Sequence, residues 1–191
     1  TGTAGNFTLT FTPASLSAVT SSSLAITAGA ASKYIVTSST YSPTAGAAVT
    51  ITAQLTDASG NAVATSGKTV TWSKSNANGS FASATSTTNA SGIATISFTT
   101  HTVSATATTV TATDNSSFTG TTPTITTAAG AATAAAITTQ PTGAASGSTL
   151  ATQPIIRIVD ASGNTVTSST VNVVASIASG TGTLSGTTTV A

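Results

Sequence analysis

The chain has 191 residues, a net charge of +1, no Cys and no Met, and its seven charged side chains are Lys33, Lys68, Lys74, Arg157, Asp57, Asp114 and Asp160. So few titratable groups argue against an enzyme, and no cofactor is expected. The charge also argues against nucleic acid and anionic lipid as partners. Without Cys there is no thiolate metal site, and no apolar run is long enough for direct membrane insertion.

Hydroxyl side chains dominate the composition, with 48 Thr and 29 Ser among 191 residues. Disorder normally accompanies low hydropathy and high net charge, whereas here the mean hydropathy is positive at +0.33. Thr is β-branched and favours strands. In chain order, apolar and hydroxyl residues alternate over residues 7–12, 49–56, 69–73 and 94–99. This pattern predicts an all-β chain whose strands are half buried and carry hydroxyls on the solvent face.

Two sequence markers repeat with nearly the same spacing. The pentapeptide Asp-Ala-Ser-Gly-Asn at residues 57–61 returns at residues 160–164, and Ala-Gly-Ala-Ala-Ser at residues 28–32 returns as Ala-Gly-Ala-Ala-Thr at residues 129–133. A period of about 100 residues is the size of one immunoglobulin-like sandwich. The sequence therefore predicts tandem immunoglobulin-like β-sandwich modules.

The positions at which the repeated markers occur predict the domain organisation. Residues 1–30 are interpreted as the C-terminal strands of a preceding module, residues 31–130 as a complete module, and residues 131–191 as the N-terminal part of a following one. The chain is thus expected to be a window of a longer array. Both terminal segments are expected to be completed by neighbouring polypeptide, from the same chain or another copy.

The stretch from Gly46 to Phe98 resembles the bacterial immunoglobulin-like repeats of invasin- and intimin-type surface proteins, through the runs at residues 53–63, 70–73, 79–81 and 88–95. Residues 139–141, 152–154 and 158–160 are similar to repeats of very large secreted adhesins, including those of gliding Bacteroidetes. The resemblance implies an extracellular or cell-surface setting and carries no catalytic residues. The tip domains that bind receptors in such proteins have no match here.

The pentapeptide predicts a tight turn, because Asp accepts backbone N–H bonds, Gly takes a positive φ and Asn tolerates the left-handed region. Asp57 and Asp160 as calcium ligands are the alternative. Calcium requires six to eight oxygens, commonly from several carboxylates, so no metal site is predicted.

The sequence also predicts roles for its tryptophan, its histidine and its glycosylation motifs. Trp72 is predicted to lie in the core near Ile51, Leu55, Ile96 and Phe98 rather than to stack on a sugar. His101 is predicted to be a solvated loop residue, because a catalytic triad would have to rest on this one imidazole. Asn-x-Ser/Thr sequons mark Asn6, Asn78, Asn89 and Asn115 as candidate N-glycosylation sites.

The favoured function is a passive stalk or fibre segment of a large extracellular adhesin, in which each module adds roughly 35–45 Å of length. Its partners are neighbouring repeats or other copies of the chain. The alternatives are a filament subunit completed by strand exchange between copies, and a glycan- or ice-binding module that uses a flat Thr array.

Overall fold

The computed structural model describes residues 2–190, which form strands and no helix, and the prediction of an all-β chain is confirmed. Two compact units are present, the first ending at Ala128 and the second beginning at Ala129. Nowhere in the described residues is there a helix with the length and apolarity that crossing a bilayer requires. The module boundaries at residues 30 and 130 stay predictions.

The first unit begins with four short strands: β1 (Gly5–Phe7), β2 (Thr10–Phe11), β3 (Val19–Thr20) and β4 (Leu24–Ile26). β1 pairs with β4, and β2 pairs with β3, both antiparallel. The prediction of one continuous strand over residues 7–12 is therefore wrong. The backbone pairs with β4 up to Phe7 and with β3 from Thr10 onwards. The apolar and hydroxyl residues therefore continue to alternate in the sequence although the strand pairing is interrupted.

The rest of the first unit forms a β-sandwich from ten strands: β5 (Ala31–Ser38), β6 (Ala48–Asp57), β7 (Thr69–Lys74), β8 (Ser80–Phe81), β9 (Thr85–Thr87), β10 (Ile93–Thr99), β11 (Ala107–Thr108), β12 (Val110–Asp114), β13 (Thr119–Thr121) and β14 (Ile125–Thr126). One sheet has the order β5-β6-β10-β8 and the other the order β13-β12-β7-β9, while β11 pairs with β14. The predicted immunoglobulin-like sandwich architecture is confirmed in this unit.

The core lies between these two sheets and consists of the inward residues of the alternating strands. Along β10, and along β6 as far as Leu55, every second side chain is buried, as the period of a strand requires. Trp72 is buried with 5% of its surface exposed and belongs to the core cluster that contains Ile51, Leu55, Ile96 and Phe98. The predicted core position of this tryptophan is confirmed.

The two sheets approach each other closely at one edge, where β13 packs against β5. A Cβ atom at Gly120 would lie 2.1 Å from the carbonyl oxygen of Tyr34, so only glycine fits at this position of β13. The missing side chain lets the sandwich close at this edge.

The second unit contains β15 (Ala134–Thr139), β16 (Ile155–Val159), β17 (Val173–Val174) and β18 (Thr189–Val190). β15 pairs with β16, and β17 pairs with β18. Large apolar side chains of this unit are exposed, among them Ile137, Ile155, Val171 and Val174. Exposed apolar residues also mark the N-terminal strands, namely Phe7, Leu9, Phe11, Leu24 and Ile26.

Strand pairings repeat along the chain. The pairs β1–β4 and β2–β3 reproduce β11–β14 and β12–β13, and the cross-strand hydroxyl contact Thr10–Thr20 (3.2 Å) returns as Thr111–Thr121 (2.8 Å). The second unit repeats the beginning of the sandwich, because β15–β16 correspond to β5–β6 and β17–β18 to β7–β9. The first segment therefore reproduces late strands of a module, and the second unit reproduces early ones.

Candidate functional site at the module junction

The repeated pentapeptide forms a turn held by one aspartate oxygen. Asp57 Oδ1 accepts the backbone N–H groups of Ser59 and Asn61, each at 2.9 Å. Asp160 repeats both bonds with Ser162 and Asn164, again at 2.9 Å. The predicted turn is confirmed at both copies.

The left-handed residue of this turn is glycine alone. Gly60 has a φ of +87° and Gly163 a φ of +81°, whereas Asn61 does not have a positive φ. The role that the sequence suggested for the asparagine backbone is therefore wrong, and its side chain has a different function.

Asp114 forms the same turn with a different sequence. Its Oδ1 accepts the N–H groups of Ser116 at 2.8 Å and Phe118 at 3.0 Å, and Ser117 takes the positive φ of +65°. This turn was missed because glycine is absent from it. The detectable signal is the spacing Asp-x-Ser, which both pentapeptides share. All three acidic side chains of the chain thus organise turns.

The second oxygen of each pentapeptide aspartate binds the glycine of the preceding Ala-Gly-Ala-Ala marker. Asp57 Oδ2 accepts the N–H of Gly29 at 2.8 Å, and Asp160 Oδ2 accepts the N–H of Gly130 at 2.8 Å. The two repeated sequence markers are therefore one structural unit, in which the turn of a module fixes the glycine that precedes its own first strand. Each Ala-Gly-Ala-Ala segment is thus fixed to the turn that follows it, unlike a free glycine-rich linker.

Asn61 connects this turn to the polypeptide before β1. Its Nδ2 donates to Asp57 Oδ2 at 2.8 Å and also to the carbonyl oxygen of Gly2, and its Oδ1 accepts the N–H of Ala4 at 2.8 Å. One side-chain amide thus binds both a donor and an acceptor of a backbone segment 57 residues away. The turn, the join and the preceding segment meet at this point, which we call the module junction (Gly2–Ala4, Gly29, Asp57 and Asn61).

The electrostatics of the junction favour the ionised carboxylate. The side-chain hydrogen bond from Asn61 and the backbone N–H of Gly29 are the main causes that lower the pKa of Asp57 to about 2. Asn164 and Gly130 lower the pKa of Asp160 to about 2 in the same way. Both acids are therefore ionised at neutral pH and act as hydrogen-bond acceptors.

A second polar cluster lies inside the sandwich and ties its two sheets together. Lys68 Nζ lies 3.0 Å from Asp114 Oδ2, and the Tyr34 hydroxyl donates to the same oxygen at 3.3 Å. Burial opposes ionisation of Asp114, but the hydrogen bonds from Lys68 and the turn lower its pKa overall. Burial, followed by the charge of Asp114, raises the pKa of Tyr34. This arrangement suits a structural ion pair.

The other sequence-predicted residues are dispersed. His101 lies half buried in the loop after β10, where its Nδ1 accepts the N–H of Val103 at 3.0 Å. Among the sequons, Asn6, Asn89 and Asn115 are exposed and Asn78 is half buried; their glycosylation stays a prediction. Within residues 2–190, no group of three or more His, Cys, Asp or Glu side chains is arranged to hold a metal ion.

No known protein family matches the chain, and neither does any curated protein. Similar solved structures include the D0-D1 domain of intimin, with 18% identity, a TM-score of 0.42 and coverage of 64% of this chain and 62% of that one. The Escherichia coli adhesin FdeC has 22% identity, a TM-score of 0.49 and coverage of 76% and 47%. A glycosyl hydrolase family 2 member from Bacteroides cellulosilyticus has 17% identity, a TM-score of 0.46 and coverage of 58% and 16%.

The chain spans less than two thirds of each of these three structures. All three TM-scores lie below 0.5 and all three identities below 25%, so these likenesses add nothing to the resemblance drawn from the sequence. Identities this low do not carry function from one protein to another.

Proposed function

We propose that this chain is a structural, non-catalytic segment of an extracellular stalk, in which β-sandwich modules joined end to end hold a distal part of a surface adhesin away from the cell. The observation that carries this proposal is the module junction. Asn61 binds the backbone of Gly2 and Ala4, while Asp57 binds that of Gly29. Hydrogen bonds on both sides of a join resist bending, and resistance to bending is what a stalk needs.

The use of polar groups supports a passive role. Each carboxylate accepts two backbone N–H bonds in its own turn, which leaves little capacity for acid–base chemistry. On the outer face, Thr hydroxyls pair across strands, as Thr111 does with Thr121 and Thr113 with Thr119. A hydroxyl surface hydrates well and does not titrate, so its shape depends little on the pH and salt outside the cell.

The stiffness of the junction can be measured by the distance between two spin labels. The chain has no Cys, so Ser17→Cys and Ser66→Cys place labels at exposed sites on the two sides of the junction. Pulsed electron paramagnetic resonance should give a narrow distance distribution in the otherwise wild-type chain. Asn61→Ala should broaden it, because the bonds to residues 2 and 4 are lost.

Asn115→Ala is the matched control, since it removes an exposed asparagine of another turn and should leave the distribution narrow. An already broad distribution in the wild-type background, or no broadening in Asn61→Ala, would remove the main support for the stalk. Labelling of intact source cells with an antibody against the chain tests the extracellular location separately, and staining only after permeabilisation would contradict it.

A filament subunit completed by strand exchange is the second candidate. The observation in its favour is that the two ends are complementary, because β1–β4 repeat β11–β14 while β15–β18 repeat β5, β6, β7 and β9. The described residues of the ends contain no counterpart of β10, however, so two copies joined in this way would lack one central strand.

Sedimentation velocity over a range of concentrations separates the two candidates. A stalk segment should stay monomeric, whereas a strand-exchanging subunit should form a ladder of oligomers as its concentration rises. Discrete head-to-tail oligomers at micromolar concentration would favour the filament.

A further inference from the structure

We propose that the unpaired edge of β16 is a docking site for a single extended strand that has the side-chain pattern of β10. This surface lies in the second unit and consists of the edge of Ile155–Val159 that faces away from β15.

The first unit shows what such a strand does. β10 pairs with β6 over seven residues, from Ile93 opposite Gln54 to Thr99 opposite Ala48. Its inward side chains Ala94, Ile96 and Phe98 are all buried. β10 is thus a central strand, which completes the hydrogen bonds of β6 and fills the core.

β16 and β6 share three structural features: the turn that follows the strand, the neighbouring strand on one edge, and a backbone hydrogen bond made after the turn. Each of the two strands runs directly into the Asp turn, and each pairs on one edge with the strand that follows the Ala-Gly-Ala-Ala join. After the turn, Val166 donates to the carbonyl of Ile158, just as Val63 donates to that of Leu55. The two strands differ at their other edge. β6 pairs there with β10, whereas β16 belongs to a sheet of two strands and has no β10 counterpart within residues 2–190.

Arg157 supplies an independent observation at this edge. It takes the place of Gln54, whose Nε2 donates to the carbonyl of Ser91 at 3.0 Å in the turn just before β10. Arg157 is exposed, and its guanidinium has no hydrogen-bond or ion-pair partner in the part of the chain that the structure describes. A guanidinium at this position has the donors to bind the same turn carbonyls of an incoming strand.

These features define the occupant by its chemistry. It is an antiparallel strand with small, branched and aromatic apolar residues at alternate positions, hydroxyls between them, and a turn with free carbonyl oxygens at its start. The N-terminal strands of another copy do not fit this description, since β1–β4 correspond to β11–β14. Strands of that group belong to the facing sheet and its edge rather than beside β16.

A peptide with the sequence of residues 88–100, which contains β10 and its preceding turn, is the probe. Titrated into the 15N-labelled full chain, it should shift the backbone amide signals of β16 and protect them from exchange, with saturation below about 1 mM. β6 serves as an internal control, because its corresponding edge is already occupied by β10. Arg157→Ala should weaken binding about tenfold, and Arg157→Gln, which restores the residue type of Gln54, should weaken it less.

The control peptide has the same composition with inward and outward residues exchanged, which moves every apolar side chain to the wrong face. Equal binding of this peptide would overturn the proposal. Absence of β16 shifts at about 1 mM would also overturn it, and so would shifts confined to residues 5–26, which would place the apolar binding surface elsewhere.

Discussion

Truncation of the single tryptophan tests the core of the sandwich. Trp72 is 5% exposed, lies opposite Ala112 in the register of β7 and β12, and its Nε1 donates to Ser86 Oγ at 2.9 Å. Loss of a buried aromatic of this size costs about 3–5 kcal/mol, out of roughly 5–15 kcal/mol for a whole domain. With a shift of about 4–8 °C per kcal/mol for a domain of this size, Trp72→Ala should lower Tm by at least about 12 °C.

The assay needs a signal that survives the substitution. Trp72 is the only tryptophan, so its emission reports unfolding of this sandwich in the wild type and is lost in the variant. Both proteins are therefore compared by far-UV circular dichroism in urea, with the slope of the transition checked for a change in the unfolded state.

Thr71→Ala is the matched control, because Thr71 lies on the same strand and faces solvent. It should change the free energy of unfolding by no more than about 0.5 kcal/mol. Trp72→Phe should fall between the control and Trp72→Ala. A loss below about 1 kcal/mol in Trp72→Ala would refute the assignment of this side chain to the core.

Three further predictions concern the junction, the closure of the sheets and metal. The pKa of Asp57 is lowered from 3.8 to about 2 in the folded state, so its stabilisation is present above about pH 4 and is lost as the pH falls towards 2. The protection factor of the Gly29 amide, which is the exchange rate of an unfolded peptide divided by that of the protein at the same pH, should therefore fall over that window. A constant protection factor down to about pH 2 would contradict the assignment. Gly120→Ala should cost at least about 1–3 kcal/mol in urea unfolding, because the added Cβ meets Tyr34, whereas Gly143→Ala, with open space around it, should be neutral; equal effects would refute the close approach. A chelator should leave Tm unchanged in a thermal scan, and a fall restored by added calcium would reveal a metal site.

The fold could be predicted from the sequence where the two-residue alternation of apolar and hydroxyl side chains matched both the burial and the pairing of a strand. Residues 49–56 alternate cleanly, and β6 buries every second one of them along most of its length. Residues 7–12 alternate equally well, yet the pairing changes partner between Phe7 and Thr10. Alternation reports which face a side chain takes and does not report which strand lies beside it.

The candidate site was predictable only in its local part. The turn at Asp57 follows from residue types within five positions, whereas its bond to Gly29 spans 28 residues and the bond from Ala4 to Asn61 spans 57. The two repeated markers were interpreted separately, because a period alone does not indicate that they touch. The local sequence predicts only a backbone role for Asn61, since its long-range partners leave no signal in the neighbouring residues.

The pairing of Trp72 with Ala112 has a consequence for the folding of successive modules. Repeats with the same strand order can mispair during folding. A C-terminal hairpin of one module can dock on the N-terminal strands of the next module before that module has formed its own hairpin. In this chain, Phe11 holds the position that Ala112 holds one repeat later, as the contacts Thr10–Thr20 and Thr111–Thr121 establish. A phenylalanine in place of the fully buried Ala112 would overfill the space beside the indole. The volume of this one side chain thus discriminates against docking of the N-terminal hairpin β2–β3 on β7 in place of β12 and β13.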